Sequence, residues 1–325
     1  MYYNRTLSPS FSALIEEDGE LRWLFDFVKT HDELDFLIGK NNKKQWISVY
    51  RGLSRILTII KTKELKTVKI EGAEAYKNIS SNIYGKKDLP YNFKVELEYI
   101  IEAVKNEAEF DRYYKNEKEG YYQNILSRRF GILGDKNDDF VIVDKEAVVG
   151  YSNLKERNAE SNELQEKYFK LQTDISLKDS KRYGININKK AVGNELDFLA
   201  LNKEGDILLI EYKHGTNNPG IFLSPVQIGM YYDIFTKLPR AELEKAVFEM
   251  LIQKQKIGLI NPDWIAPEKI RNIIPVLIIS EYNDKSSAKQ KFNEILSFSR
   301  KQLGSNFLND LLTYNYTKSK GLQKW

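Results

Sequence analysis

Two short apolar runs joined by a single turn constrain this chain more than anything else in it. Leu196 to Leu201 and Ile207 to Tyr212 flank Asn202-Lys203-Glu204-Gly205-Asp206, a charged, glycine-containing segment with the chemistry of a hairpin connection. Side chains alternate faces along a strand, so Glu195 and Asp197 share one face, as do Glu211 and Lys213. Closing the hairpin brings Asp197 beside Glu211. Ionised groups avoid low-dielectric surroundings unless they are paired or bound to metal, so such a strand end has two readings. One is a salt-bridged hairpin on a sheet edge. The other is a site in which a hard divalent cation is held by one or two carboxylates, water and substrate phosphate oxygens. In the second reading Lys213 supplies a point charge that orients or deprotonates attacking water and steadies a pentavalent phosphate.

The next segment favours the second reading. After the loop from Gly215 to Gly220, the stretch from Ser224 to Phe235 reads as a helix, with Ser224 as N-cap and Pro225 at the first helical position. Gln227 and Tyr231 lie four apart and share one helical face. Asp197, Glu211-x-Lys213 and Gln227-Ile228-x-x-Tyr231, in that order, resemble the PD-(D/E)xK nuclease superfamily, and within it the RecB-like branch with the Gln-hydrophobic-x-x-Tyr helix.

The resemblance covers residues 155 to 280 and implies an α/β (α+β) fold. Its centre is a restriction-endonuclease-like αβββαβ core with a mixed sheet. Pieces with suitable periodicity are present: a helix over Ser161 to Leu171, a first strand over Tyr183 to Asn188, the hairpin, and a nearly all-apolar strand over Ile273 to Ser280. The implied catalytic set is Asp197, Glu211, Lys213, Gln227 and Tyr231, with magnesium as the cofactor and manganese as its substitute. An acidic residue of the first helix often joins the metal in such families. Glu163 matches that place best, with Glu166 as the alternate. The proline that usually precedes the first Asp is replaced by Leu196. Glu195 is either a further ligand or a solvated strand charge, and the solvated charge is the preferred reading. His214 reads as a surface loop residue.

Composition narrows the alternatives. The chain has no cysteine, which excludes a disulfide, a zinc ribbon and the cluster-bearing members of the RecB-like branch, and points to a cytoplasmic protein. Its two histidines, His31 and His214, leave no histidine-metal motif and no Ser-His-Asp hydrolase. No phosphate-cradling glycine loop occurs, and no apolar run approaches the length of a membrane span.

At 325 residues the chain can hold two domains, and a polar linker from Tyr151 to Ser161 places the boundary near residue 150. Residues 1 to 150 carry 24 basic against 25 acidic residues, and residues 151 to 325 carry 26 against 21. The surplus on the second half suits a polyanionic partner. Within the first half, residues 40 to 69 hold Lys40, Lys43, Lys44, Arg51, Arg55, Lys61, Lys63, Lys66 and Lys69 against Glu64 alone. That stretch reads as strands Gln45 to Tyr50, Arg55 to Ile60 and Thr67 to Ile70. Two readings are open for it: lysines solvated on the outer face of a sheet, or a nucleic-acid surface using Lys61, Lys63, Lys66 and Lys69. Arg128-Arg129, near the end of a helix, could reach phosphate or partner the helix dipole. Val95, Leu97, Ile100, Ile101 and Val104 form one helical stripe, and Phe140 to Val143 with Ala147 to Val149 reads as a hairpin. The first 150 residues are expected to be a recognition or regulatory domain of strands and helices.

The reading as a whole is a metal-dependent nuclease, an endonuclease acting on DNA, in restriction, phage defence or repair. No membrane partner is expected, and a homodimer is compatible with it. The competing readings are a nuclease fold that binds nucleic acid without cutting it, and an RNA-directed or ligand-sensing defence effector.

Overall fold

The computed structural model describes residues 1 to 61, 67 to 72, 89 to 106, 114 to 178, 195 to 304 and 310 to 325. It is a mixed α/β structure with two sheets. The chain divides into two compact units. One comprises Asn4–Val141 with Lys245–Ile265, the other Met1–Tyr3, Ile142–Glu244 and Ala266–Trp325. Among the described residues no helix is long and apolar enough to cross a membrane.

In the first unit, β1 (Leu34–Lys40), β2 (Gln45–Arg51), β3 (Ser54–Lys61), β4 (Thr67–Glu71) and the two-residue β5 (Leu89–Pro90) form a sheet in chain order. Every pairing in it is antiparallel. The short helix α1 (Pro9–Ser12), α2 (Arg22–Thr30), α3 (Lys94–Asn106) and α4 (Glu119–Arg129) accompany it. One core unites Leu24, Phe25 and Val28 of α2 with Ile47, Val49, Ile56, Leu57 and Ile59 of the sheet and with Leu97, Ile100, Ile101 and Val104 of α3. Each such side chain, fully buried, contributes about 1.5–3 kcal/mol. Val95, expected in the α3 stripe, is instead 75% exposed, because a residue two positions before Leu97 points to the opposite side of the helix from the Leu97, Ile100, Ile101 and Val104 face.

In the second unit the sheet order is β11-β10-β9-β8-β7-β6. Its strands are β6 (Phe140–Ala147), β7 (Leu196–Asn202), β8 (Ile207–His214), β9 (Ile273–Ser280), β10 (Leu312–Thr317) and β11 (Gly321–Lys324). β7 and β8 are antiparallel, β8, β9 and β10 are parallel, and β11 turns back on β10. The helices are α5 (Leu154–Lys178), α6 (Asn218–Thr236) and α8 (Ala288–Leu303), with α7 (Arg240–Ile257) running from this unit into the other.

Several expectations are corrected here. Phe140 to Ala147 is one continuous strand beside β7, not half of a hairpin. Burial of Val141, Ile142 and Val143 together with Asp144 and Lys145 explains why an alternating pattern is missing. The segment expected to be a linker, Tyr151 to Ser161, is helical from Leu154 onward. Residues Tyr183 to Asn188, read as a first strand, lie outside the described residues.

The β7–β8 turn is built to order. Gly205 has φ +92°, and a Cβ there would lie 2.3 Å from the Lys269 carbonyl oxygen, so glycine is required on both counts. Asp206 accepts hydrogen bonds from the amides of Asn202 (3.2 Å) and Asn272 (2.8 Å), which ties the turn to the approach of β9.

Candidate functional site

The site is assembled at the end of the β7–β8 ladder opposite this turn. The ladder pairs Phe198 with Ile210, and one further step in that register sets Asp197 level with Glu211. Asp197 Oδ2 accepts the backbone N–H of Tyr212 at 2.8 Å, so the carboxylate itself continues the pairing where the ladder ends. Glu211 is 1% exposed and Lys213 8%, and the Lys213 ammonium donates to Glu211 Oε1. Two residues apart on β8, they face the same way, as the alternation of strand side chains requires.

Helix α6 supplies the remaining groups. It begins at Asn218, not at Ser224: Asn217 accepts from the Gly220 N–H at 3.0 Å as N-cap, and Pro219 occupies the first turn. Pro225 therefore lies inside the helix and cannot donate to the carbonyl four residues back, that of Ile221. The Ser224 hydroxyl donates to that carbonyl instead, at 2.8 Å. The expected cap is thus a repair of the helix interior. One turn further on, Tyr231 Oη donates to the Glu195 carbonyl at 2.5 Å and accepts from Gln227 Nε2 at 3.4 Å. Burial, and next the Glu211 carboxylate, push the Tyr231 phenol well above the usual tyrosine range; Asp197 and Glu195 act the same way, against the bond from Gln227. Asp197, Glu211, Lys213, Gln227 and Tyr231 are thereby brought into one neighbourhood.

His214, read from sequence as a surface residue, is buried. Its Nδ1 accepts from the Thr216 N–H at 3.3 Å and lies 2.8 Å from the Thr216 hydroxyl, which places its proton on Nε2. At this position β8 is paired with β9, opposite Ser280, a tertiary arrangement that spacing alone does not carry.

Glu163 is not brought to this cluster. It is a mostly exposed residue of α5 whose carboxylate lies 3.5 Å from the Lys237 ammonium, at the far end of α6 from Gln227. Tyr168 and Lys167 of the same helix hold Asp233, each at 2.7 Å, so α5 packs along the C-terminal half of α6. Among the described residues no group of three or more acidic or histidine side chains is placed to hold a metal ion. The described donor set is the Asp197–Glu211 pair. Two carboxylates are what magnesium commonly takes from a protein, keeping water elsewhere, so the pair fits that ion.

The nucleic-acid residues also change role. Arg128 is buried and donates to the carbonyls of Val28 (2.9 Å), Leu34 (2.8 Å) and Lys29 (2.9 Å), so its guanidinium ties α2 and β1 to α4 and cannot serve phosphate. Arg129 spends its fork on Asp138, with bonds of 2.5 and 2.6 Å. Lys69 pairs with Glu71 at 2.8 Å, and Lys61 donates to the Ser10 carbonyl at 2.9 Å. Lys63 and Lys66 lie outside the described residues.

Compared with protein-family models, with curated proteins and with solved structures, this chain matches none.

The two buried tyrosines carry a pH prediction. Tyr231, and Tyr168 through burial and Asp233, have folded-state pKa values raised above the ordinary 10. The unfolded chain therefore releases these protons first as pH rises through 10. Their contribution is fully present below pH 10 and is lost above it. Urea unfolding followed from pH 8 into the range above 10 is expected to show a steepening fall in stability. Tyr168→Phe and Tyr231→Phe should each flatten it, and an unchanged profile in both variants would contradict the burial described here.

Proposed function

We propose that this chain is a magnesium-dependent nuclease that hydrolyses phosphodiester bonds, with DNA as its favoured substrate, and that it belongs with the PD-(D/E)xK nucleases. The observation that carries the reading is the buried Glu211–Lys213 pair set level with Asp197 and roofed by Gln227 and Tyr231. Burying the Glu211 carboxylate and the Lys213 ammonium in one sheet, beside the half-buried Asp197, costs several kcal/mol per buried ion in desolvation, a cost that packing alone does not demand. The order α5, β7, β8, α6, β9 supports a restriction-endonuclease-like core.

Asp197 and Glu211 would hold the cation, which when bound supplies charge stabilisation at the phosphate and acidifies a water molecule. The chain's own groups do the rest. Lys213, a compact ammonium on a strand fixed on both edges, orients the attacking water and meets charge developing on the phosphate. The Tyr231 phenol stays protonated and holds the Glu195 carbonyl, locking the strand that carries Asp197. Gln227 holds that phenol and lies within reach of a bound strand.

The test is incubation of the purified chain with circular single-stranded and double-stranded DNA and with RNA, with magnesium or with EDTA. Magnesium-dependent cutting of circular DNA is the expected result and marks an endonuclease. Retention of DNA with no product under any divalent ion would instead favour a nucleic-acid-binding protein that does not cut, and cleavage unaffected by EDTA would remove the metal site.

A further inference from the structure

The turn between β1 and β2 borders a cavity of about 350 Å³, within the size range of small-ligand sites. Lys40, Lys43, Lys44 and Lys61 line it, and no aspartate or glutamate does. Lys44 is held by Glu71 at 3.0 Å, and Lys61 by the Ser10 carbonyl. Among the described residues the ammonium groups of Lys40 and Lys43 have no partner. The neutral polar groups add to the bias. Asn41 Oδ1 accepts the backbone N–H groups of Lys43 (2.8 Å) and Lys44 (2.9 Å), and Gln45 Oε1 accepts that of Ser8 (2.5 Å). The oxygen ends of both amides are thus engaged by backbone, leaving their N–H₂ ends as donors. The half-buried Ile60, backed by the core residue Phe11, supplies an apolar edge. A cavity with cations and donors on one side and hydrocarbon on the other suits a ligand that is anionic at one end and apolar at the other.

We propose that this cavity binds the phosphate group of a nucleotide, with the sugar or base edge against Ile60. The chemistry is the same for a free nucleotide and for one nucleotide of a bound strand. The inference stands on the cavity and is independent of the carboxylate site. It moves the anion-binding role from Lys69, which Glu71 neutralises, to Lys40 and Lys43.

The test uses the full chain in EDTA, with ATP followed by calorimetry and a fluorescein-labelled dT12 strand followed by anisotropy over about 50–200 mM salt. K40S/K43S is expected to weaken binding of at least one probe about tenfold or more, while K40R/K43R retains it. Loss of ATP binding alone identifies a free nucleotide as the ligand. Loss of dT12 binding, with the salt slope reduced by about 1.4 for two missing phosphate contacts, identifies a strand. If the wild-type chain binds neither probe, or K40S/K43S binds both as wild type does, the proposal is overturned. Circular dichroism melting checks the fold. Should the double variant fail to fold, Lys43→Ser, at an exposed turn position, is expected to lose about threefold, and unchanged binding in it overturns the proposal equally.

Discussion

Glu211→Gln and Asp197→Asn are each expected to lower magnesium-dependent cleavage by about three orders of magnitude or more while leaving the chain folded. Both changes remove a negative charge and keep the shape. Asn at position 197 still offers an oxygen to the Tyr212 N–H, so the end of the β7–β8 ladder survives, which Asp197→Ala would not ensure. Gln at position 211 can still accept from Lys213. What is lost is anionic oxygen for a divalent cation, and no neighbouring acidic group among the described residues completes a replacement set. Single-turnover rates at increasing magnesium check this, beside thermal melts. Wild-type rates in either variant would sink the assignment of the metal site; loss of activity accompanied by unfolding in both would return these residues to a purely structural role.

Lys213→Met is expected to cost activity and stability together, and a second substitution separates the two. Removing one partner of a buried ion pair leaves an uncompensated charge and costs about 3–5 kcal/mol, whereas replacing both partners is often close to neutral. Lys213→Met alone should therefore unfold at markedly lower urea, and Lys213→Met with Glu211→Gln should recover most of the loss. Neither variant should cleave, because the first lacks the charge beside the scissile phosphate and the second lacks a metal ligand as well. Lys213→Arg should keep more stability than activity, since a planar fork cannot take the place of a compact ammonium in the buried pair with Glu211. The readout is a double-mutant cycle in urea beside single-turnover kinetics. Additive stability losses in the cycle would mean that the pair does not interact, and normal cleavage by Lys213→Met would rule out the proposed chemistry.

The legible parts of this chain were those in which a local pattern and its tertiary role coincide. The β7–β8 hairpin is one: apolar runs, a glycine at the one turn position with positive φ, and charges at alternate residues all carry local information. Strands β2, β3 and β4 fall where their residue types place them. The start of α6 is not legible locally because Ser224-Pro225 is a strong helix-start signal, while the cap is Asn217, two residues before a second proline, Pro219, that serves the same purpose. Strand β1 is buried on both faces and shows no alternation, so it carries no local signature, and charged residues interrupt the apolar pattern of β6.

For the site, residue types and spacing determined by themselves that Asp197, Glu211 and Lys213 would share a strand end and that Gln227 and Tyr231 would share a helix face, because period-two and period-3.6 geometry act over a few residues. Only the tertiary structure decided which charges remain available. Arg128 and Arg129 look like phosphate ligands in sequence, yet their donors are claimed by carbonyls of α2 and β1, about one hundred residues away for Arg128, and by Asp138. Glu163 is turned toward Lys237, and Lys69 toward Glu71. A charged side chain's role depends on the partner that satisfies it. That partner is chosen by packing between distant segments, which no local periodicity records.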